Sequence, residues 1–288
     1  MPIPKFIHNG IQGSAKLIKG AYNGEHENMI YKNVEFSAIV TKRKNYRERD
    51  MLVTMFTDKY GFKTFFVRGV RKRGFKLGAA ILPFTHGTYI GSINSEGLSF
   101  ITATKGIDQF QSINQDIILN AYATYILELV KAAFEDSIDV TNTLWFEKVL
   151  KALSLINDGF DAQIITNIIE VQLLGKFGVQ PNWRSCVICG ETQSQFDYSE
   201  SYGGILCRKH WYMDKNRLNL DQRTMYYLRK FSIVDLNYLN SIKVNEDTKK
   251  RLKLTLNEIY DNQVGIYVKA RSFIDKMTKV ENNLLKKD

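Results

Sequence analysis

Residues 186–210 constrain this chain more than any other stretch. Cys186 and Cys189 flank two residues, seventeen residues follow, and Cys207 and His210 repeat the two-residue gap. Two such pairs can converge on one tetrahedral ion, and thiolate sulfur with neutral imidazole is the donor set that zinc prefers. All three cysteines of the chain lie in this module. A disulfide framework would leave one of them unpaired. A redox pair at Cys186 and Cys189 would leave the second pair without a purpose. Four protein ligands leave no open position for a catalytic water, so the module reads as a knuckle with one structural zinc per chain. A degenerate, metal-free knuckle is the alternative.

The 288 residues suffice for one large domain or two ordinary ones. An apolar fraction of 44% fits a globular protein. No apolar run approaches the roughly 18 residues of a membrane span, and the start lacks a signal-peptide core. The expectation is a soluble cytoplasmic protein with no membrane partner.

The formal charge is +10, and its distribution matters more than its total. Between Lys42 and Lys76 stand twelve basic and three acidic residues, a net +9 that is nearly the whole excess. A phosphate backbone suits such a concentration. A solvated basic face is the bland alternative.

Residues 1–28 show no sustained period and read as a mobile extension, with Met29 as an alternative start. From residue 29 to 110 the pattern is short strands rich in β-branched and aromatic residues, at 36–40, 51–56, 62–67, 87–90 and 98–102. Five strands with few helical signals predict a small barrel, an OB-fold or an SH3-like barrel, with the OB-fold preferred. From residue 111 to 288 the period becomes helical, with starts at or near Asn114, at Asp161 and near Asp221, and stops at Gly159 and Gly178. The fold class is therefore α+β: an N-terminal OB-fold barrel, then a helical domain carrying the inserted knuckle. Residues 281–288 read as frayed.

This order, with particular residues, resembles the RecO family of bacterial DNA repair proteins and recombination mediators. The resemblance is carried by Arg43 to Thr57, Phe66-Val-Arg-Gly69 with its basic run, Leu82-Pro-Phe84, Tyr122 to Leu129, Glu170 to Leu174 with Gly178 and Pro181, and Gly203-Gly204 before Cys207. It covers about residues 30–273. The family's knuckle commonly has four cysteines, and His210 here takes the last place, an exchange zinc accepts. The resemblance implies a non-enzymatic protein of DNA repair and homologous recombination. Such a protein binds single- and double-stranded DNA and anneals complementary strands. With RecR it helps load RecA onto strands coated by single-stranded DNA-binding protein (SSB), whose acidic C-terminal tail it also binds. That work would place it in the cytoplasm, at the nucleoid during repair.

The residues point the same way. Arg68, Arg71, Lys72 and Arg73, on a strand end and the loop after it, are the first choice for phosphate contacts, with Lys42, Arg43, Arg47 and Lys76 next. Tyr46, Phe65, Phe66 and Phe75 are interleaved with them, but a barrel needs most aromatics inside, and Phe65 and Phe66 point to opposite faces. No GxxxxGK[ST], GxSxG or HExxH occurs and the acidic residues are scattered, so hydrolase, nucleotide-binding and nuclease templates fail. A basic, zinc-containing protein-interaction adaptor without a direct DNA role is the competing class.

Overall fold

The computed structural model describes residues 29–134 and 142–284. The N-terminal extension expected at 1–28 lies outside them, as do residues 285–288, whereas residues 281–284, read as frayed, are helical.

Five antiparallel strands, β1 (Ile30–Tyr46), β2 (Asp50–Thr57), β3 (Gly61–Val67), β4 (Thr85–Asn94) and β5 (Phe100–Gln109), pair in the order β3-β2-β1-β4-β5. A parallel bridge between Phe65 and Ser99 closes the sheet, with the Phe66 amide donating to the Ser99 carbonyl at 2.8 Å and the Ser99 amide to Thr64 at 2.9 Å. Closure by a parallel contact between the third strand and the start of the fifth makes the barrel OB-like. A 3-10 turn at Ala79–Ile81 plugs one end, and the Tyr89 hydroxyl, inside the barrel, donates to the Ala80 carbonyl at 2.7 Å.

Alternation sorts the strands into two faces. Phe36, Ala38, Val40, Val53, Met55, Phe65 and Tyr89 fill the barrel. Ile39 and Phe56 point outward and join the core of the helical part, where the Phe56 ring lies 5.6 Å from that of Phe146. One end of the outer face is thus covered by helices, and the other stays free.

The helical part comprises α1 (Gln111–Gln115), α2 (Ile117–Phe134), α3 (Asn142–Asn157), α4 (Ala162–Leu173), α5 (Gln222–Ile233), α6 (Glu246–Ile259) and α7 (Lys269–Leu284). Asp116, a neighbour of Asn114 as expected for this start, caps α2, accepting from the amides of Ile118 and Leu119. Asp161 caps α4 and Asp221 caps α5, as their positions predict. The expectation that no segment matches a membrane span needs correction for α2. By length and composition α2 is apolar enough to cross one. Its apolar side is used in the bundle, where Tyr125, Ile126, Leu129 and Val130 are buried against neighbouring helices. The helical pattern carried by Ile266, Val268, Phe273 and Ile274 predicts a last helix, but α7 begins at Lys269, so Ile266 and Val268 precede it.

Candidate nucleic-acid interface and metal centre

The free outer face of the barrel carries the basic segment. Its geometry begins with a bulge in β1: Val40 pairs with Met55, but Lys42 pairs with Thr54, so Thr41 is the extra residue. The Thr41 hydroxyl donates to the Thr54 carbonyl at 3.0 Å and holds the bulge in place. A bulge shifts the facing of everything after it by one residue. Without it Lys42, Lys44 and Tyr46 would continue the inward row of Ala38 and Val40. With it they share the outward row of Thr54, Leu52 and Phe66. Arg43 pairs with Val53 and so lies on the opposite face, at the mouth of the barrel.

The tip of the β1–β2 hairpin and the loop after β3 meet here. The Gly69 amide donates to Asp50 Oδ1 at 2.9 Å, and Arg71 Nη1 donates to the Glu48 carbonyl at 2.9 Å. Gly69 has φ of +65°, and the Lys72 side chain lies against it so closely that an added Cβ would touch Lys72 Cδ at 3.0 Å. Arg47, Arg49, Arg68 and Lys72 thereby ring one shallow concavity, floored in part by Glu48 and Asp50. Arg73 and Lys76 are exposed on the same loop. Of the cations expected to contact phosphate, Lys42, Arg47, Arg68, Arg71 and Lys72 fall on or beside this face, Arg73 and Lys76 are exposed on the adjoining loop, and Arg43 turns away. Lys63, counted in the basic segment, is committed elsewhere: its Nζ donates to the Ser95 carbonyl at 2.8 Å, and burial lowers its pKa.

The aromatics divide sharply. Phe65 is buried in the barrel, and Phe75 packs against the barrel core. Tyr46 and Phe66 lie outside, with ring centroids 5.7 Å apart, and Phe100 adds a third ring 6.2 Å beyond Phe66. Arg47 sits over Tyr46 and Arg68 over Phe66, at 5.3 and 5.5 Å from the ring centroids. Phe100 escaped the sequence reading because it reaches this face only through the β3–β5 closure. Lys44 and Arg49 were visible in the charge count but not as neighbours of the groove.

The knuckle is built on the hairpin of β6 (Phe196–Ser199) and β7 (Gly204–Cys207) and the 3-10 turn Arg208–Met213. The Asn182 amide donates to the Gly203 carbonyl and the Asn182 carbonyl accepts from the Ile205 amide, so close to the hairpin that a Cβ on Gly204 would meet Val187 Cγ1 at 2.7 Å and the Asn182 carbonyl at 2.9 Å. This brings the two ligand pairs together. The donor atoms of Cys186, Cys189, Cys207 and His210 all lie within 4.8 Å of one another. Cys189 Sγ is 3.8 Å from Cys207 Sγ, and His210 Nδ1 is 3.2 Å from Cys207 Sγ and 3.5 Å from Cys186 Sγ. A tetrahedral ion with bonds of about 2.3 Å to sulfur and about 2.0 Å to nitrogen separates its ligands by about 3.5–3.8 Å, so the residues fit such an ion. Burial pushes the Cys186 thiol up, but backbone hydrogen bonds from Cys207, Cys189 and Ile188 outweigh it and hold the pKa down to about 6. Burial raises that of Cys207.

Helix α5 clasps the knuckle through Arg229, which donates to the carbonyls of Trp183, Arg184 and Thr192 and stacks 4.5 Å over the Phe196 ring. Cys186, Cys207, Trp183 and Tyr198 belong to the same core as the helices.

Two family models match the chain: "Recombination protein O N terminal" over residues 29–110 and "Recombination protein O C terminal" over residues 114–272. A "DNA repair protein RecO" of Ligilactobacillus salivarius is 99% identical over 260 residues, covering 90% of this chain and all of the relative. The proteins so named from Latilactobacillus sakei and Limosilactobacillus reuteri are 50% and 51% identical over 250 residues, covering 87% of this chain and 91% and 95% of those relatives.

Proposed function

The chain belongs to the RecO family of DNA repair proteins, and from that premise we propose that it is a non-enzymatic mediator that binds single- and double-stranded DNA and anneals complementary strands. The observation that carries the DNA role is the outer face of the barrel, where one bulge and one loop gather cations around exposed rings. Cations so placed track successive phosphates without reading base sequence, and neutralising two repelling strands on one surface promotes their pairing.

The donor set and spacing at Cys186, Cys189, Cys207 and His210 support one structural zinc per chain. When bound, the ion would supply folding free energy to the knuckle and no reactivity. Partners are RecR, with which the protein would load RecA in the cytoplasm at sites of repair, and the acidic C-terminal tail of SSB. A trough between α2, α4, α6 and α7 supports the second partnership. Ile118, Leu119, Tyr122 and Phe160 give it apolar walls, and Lys249, Lys250 and Lys253 line one side; Lys249 is paired with Asp161 and Glu246 and Lys253 with Asp275, so an acidic peptide with apolar residues would bind by exchanging those pairings.

The DNA reading is tested by fluorescence anisotropy across a salt series on wild type and the R47A/R68A/K72A variant. Each phosphate contact on a single strand contributes about 0.7 to the slope of log affinity against log salt, so loss of three flattens it by about 2, whatever the base sequence. An unchanged slope in a folded variant overturns this surface as the DNA site.

A further inference from the structure

Tyr46, Phe66 and Phe100 are large aromatic side chains that pack into neither the barrel core nor the helical core. Tyr46 is 37% exposed and Phe100 43%. Single exposed rings are common, whereas a cluster of them rimmed by charge marks an interaction surface. Here three stand in a row across three strands, each about 6 Å from the next, with Phe66 edge-on to both neighbours at interplanar angles of 85° and 81°. The fold takes particular steps to assemble them. The Thr41 bulge turns Tyr46 outward. The parallel closure at Phe65 and Ser99 sets Phe100 beside Phe66. Gly91 lets β5 approach, since a Cβ there would lie 2.1 Å from the Phe100 carbonyl oxygen.

The arrangement has a polarity. Arg47 caps the Tyr46 ring and Arg68 the Phe66 ring, so guanidinium planes occupy that end of the row. Among the described residues, no cation–ring contact falls on Phe100. Its face is the one left for a flat apolar ligand, and the cations that could hold an attached phosphate chain begin one ring away. Bases offer such faces only when unpaired, because in a duplex both faces are taken by stacking.

We propose that the Phe100–Phe66–Tyr46 row is the single-strand selector of the groove, with Phe100 the primary stacking ring and Arg47 and Arg68 extending the stack toward the phosphates. This rests on the DNA reading above and divides its labour: cations set affinity for any strand, and the row sets the preference for unpaired ones. A duplex meets only the cations.

The test measures anisotropy with single- and double-stranded oligonucleotides of one length on wild type, F100A, F66A/F100A and F100W, with thermal melting to verify folding. Single-strand affinity should fall about tenfold or more in F100A, further in the double variant, and return in F100W, while duplex affinity changes less than about twofold. The salt slope should stay at the wild-type value, since no phosphate contact is removed. Equal losses on both substrates, or no loss on either, overturn the proposal. A wild-type protein that binds neither strand would instead overturn the DNA reading itself, and a charge variant that flattens the slope while F100A does nothing would leave that reading standing and sink only the selector.

Discussion

Glu170 is enclosed among α4 and its neighbours with partners that donate neutral hydrogen bonds: Tyr125 at 2.7 Å to Oε1 and Asn167 at 2.8 Å to Oε2. The Tyr260 hydroxyl binds the carbonyl of the same residue at 2.9 Å. Burial raises the carboxyl pKa, and the hydrogen bonds with the more distant Arg271 and Lys253 offset this only in part. A raised pKa means the folded state holds its proton more tightly than the unfolded chain. Stability from this group is therefore complete below the ordinary carboxylate value of 4.5 and is lost as pH rises through the folded value. Glu170→Gln removes the titration, so the melting temperature of the variant relative to wild type should climb as pH rises from about 4 towards neutrality. Parallel melting curves across that range would show that Glu170 does not carry the dependence. The cysteines offer a second contrast at this scale. Cys207 is fully buried and Cys189 exposed, so the same ion would be anchored in the core on one side and reachable by water on the other.

Among elements, α5 and the knuckle are coupled by one side chain. Arg229 satisfies three carbonyls of the ligand-bearing loops with a planar fork and stacks on Phe196, which a lysine ammonium cannot reproduce. Metal analysis of protein purified without chelator should find one zinc per chain, and its absence would refute the metal assignment. Both Arg229→Ala and Arg229→Lys should then release zinc to a competing chelator faster, by about tenfold if the clasp acts as outer-shell partners commonly do. Release at the wild-type rate from a folded variant would mean that the knuckle is rigid without α5. The β1 bulge is the corresponding device in the barrel, since it assigns Lys42, Lys44 and Tyr46 to the working face.

At the scale of the molecule, barrel and helices share apolar core. Ile39, Phe56, Phe84 and Phe110 come from the barrel part and are buried with the helical side chains, and the Thr143 hydroxyl donates to the Asp58 carbonyl at 2.8 Å. The chain's three tryptophans, Trp145, Trp183 and Trp211, all lie in the helical part. Phe56→Ala should cost about 3–5 kcal/mol, and the loss should be read by tryptophan fluorescence although the substitution is in a strand. A shift seen by circular dichroism but not by the tryptophans would mean that the two parts unfold separately. The shared core also fixes which barrel face is free, because the helices cover the end bearing Phe56 and Phe62 and leave the end bearing Phe66.

The amino-acid sequence by itself determined whatever depends on near neighbours. The ligand spacing, the caps at Asp161 and Asp221, the stops at Gly159 and Gly178, the strand periods and the crowding of cation between residues 42 and 76 are local patterns, each legible because its physics acts within a few residues. It also carried the family, since the order of those patterns is specific. Tertiary structure decided what depends on register and closure. Whether Lys42 or Arg43 faces the groove turns on one extra residue opposite Met55 and Thr54, and a bulge has no signature in alternation that short. Phe100 joins Phe66 across a parallel bridge between segments more than thirty residues apart, a contact no window of sequence contains. A helix start near Asn114 was legible, but which neighbour caps it was decided by a separate turn of helix, α1, that ends just before Asp116. The four candidate ligands were legible from spacing, but their meeting within 4.8 Å required the hairpin and the close approach at Gly204. Local propensity proposes elements and donors; only the packing of the whole chain fixes which side of each is left facing the solvent.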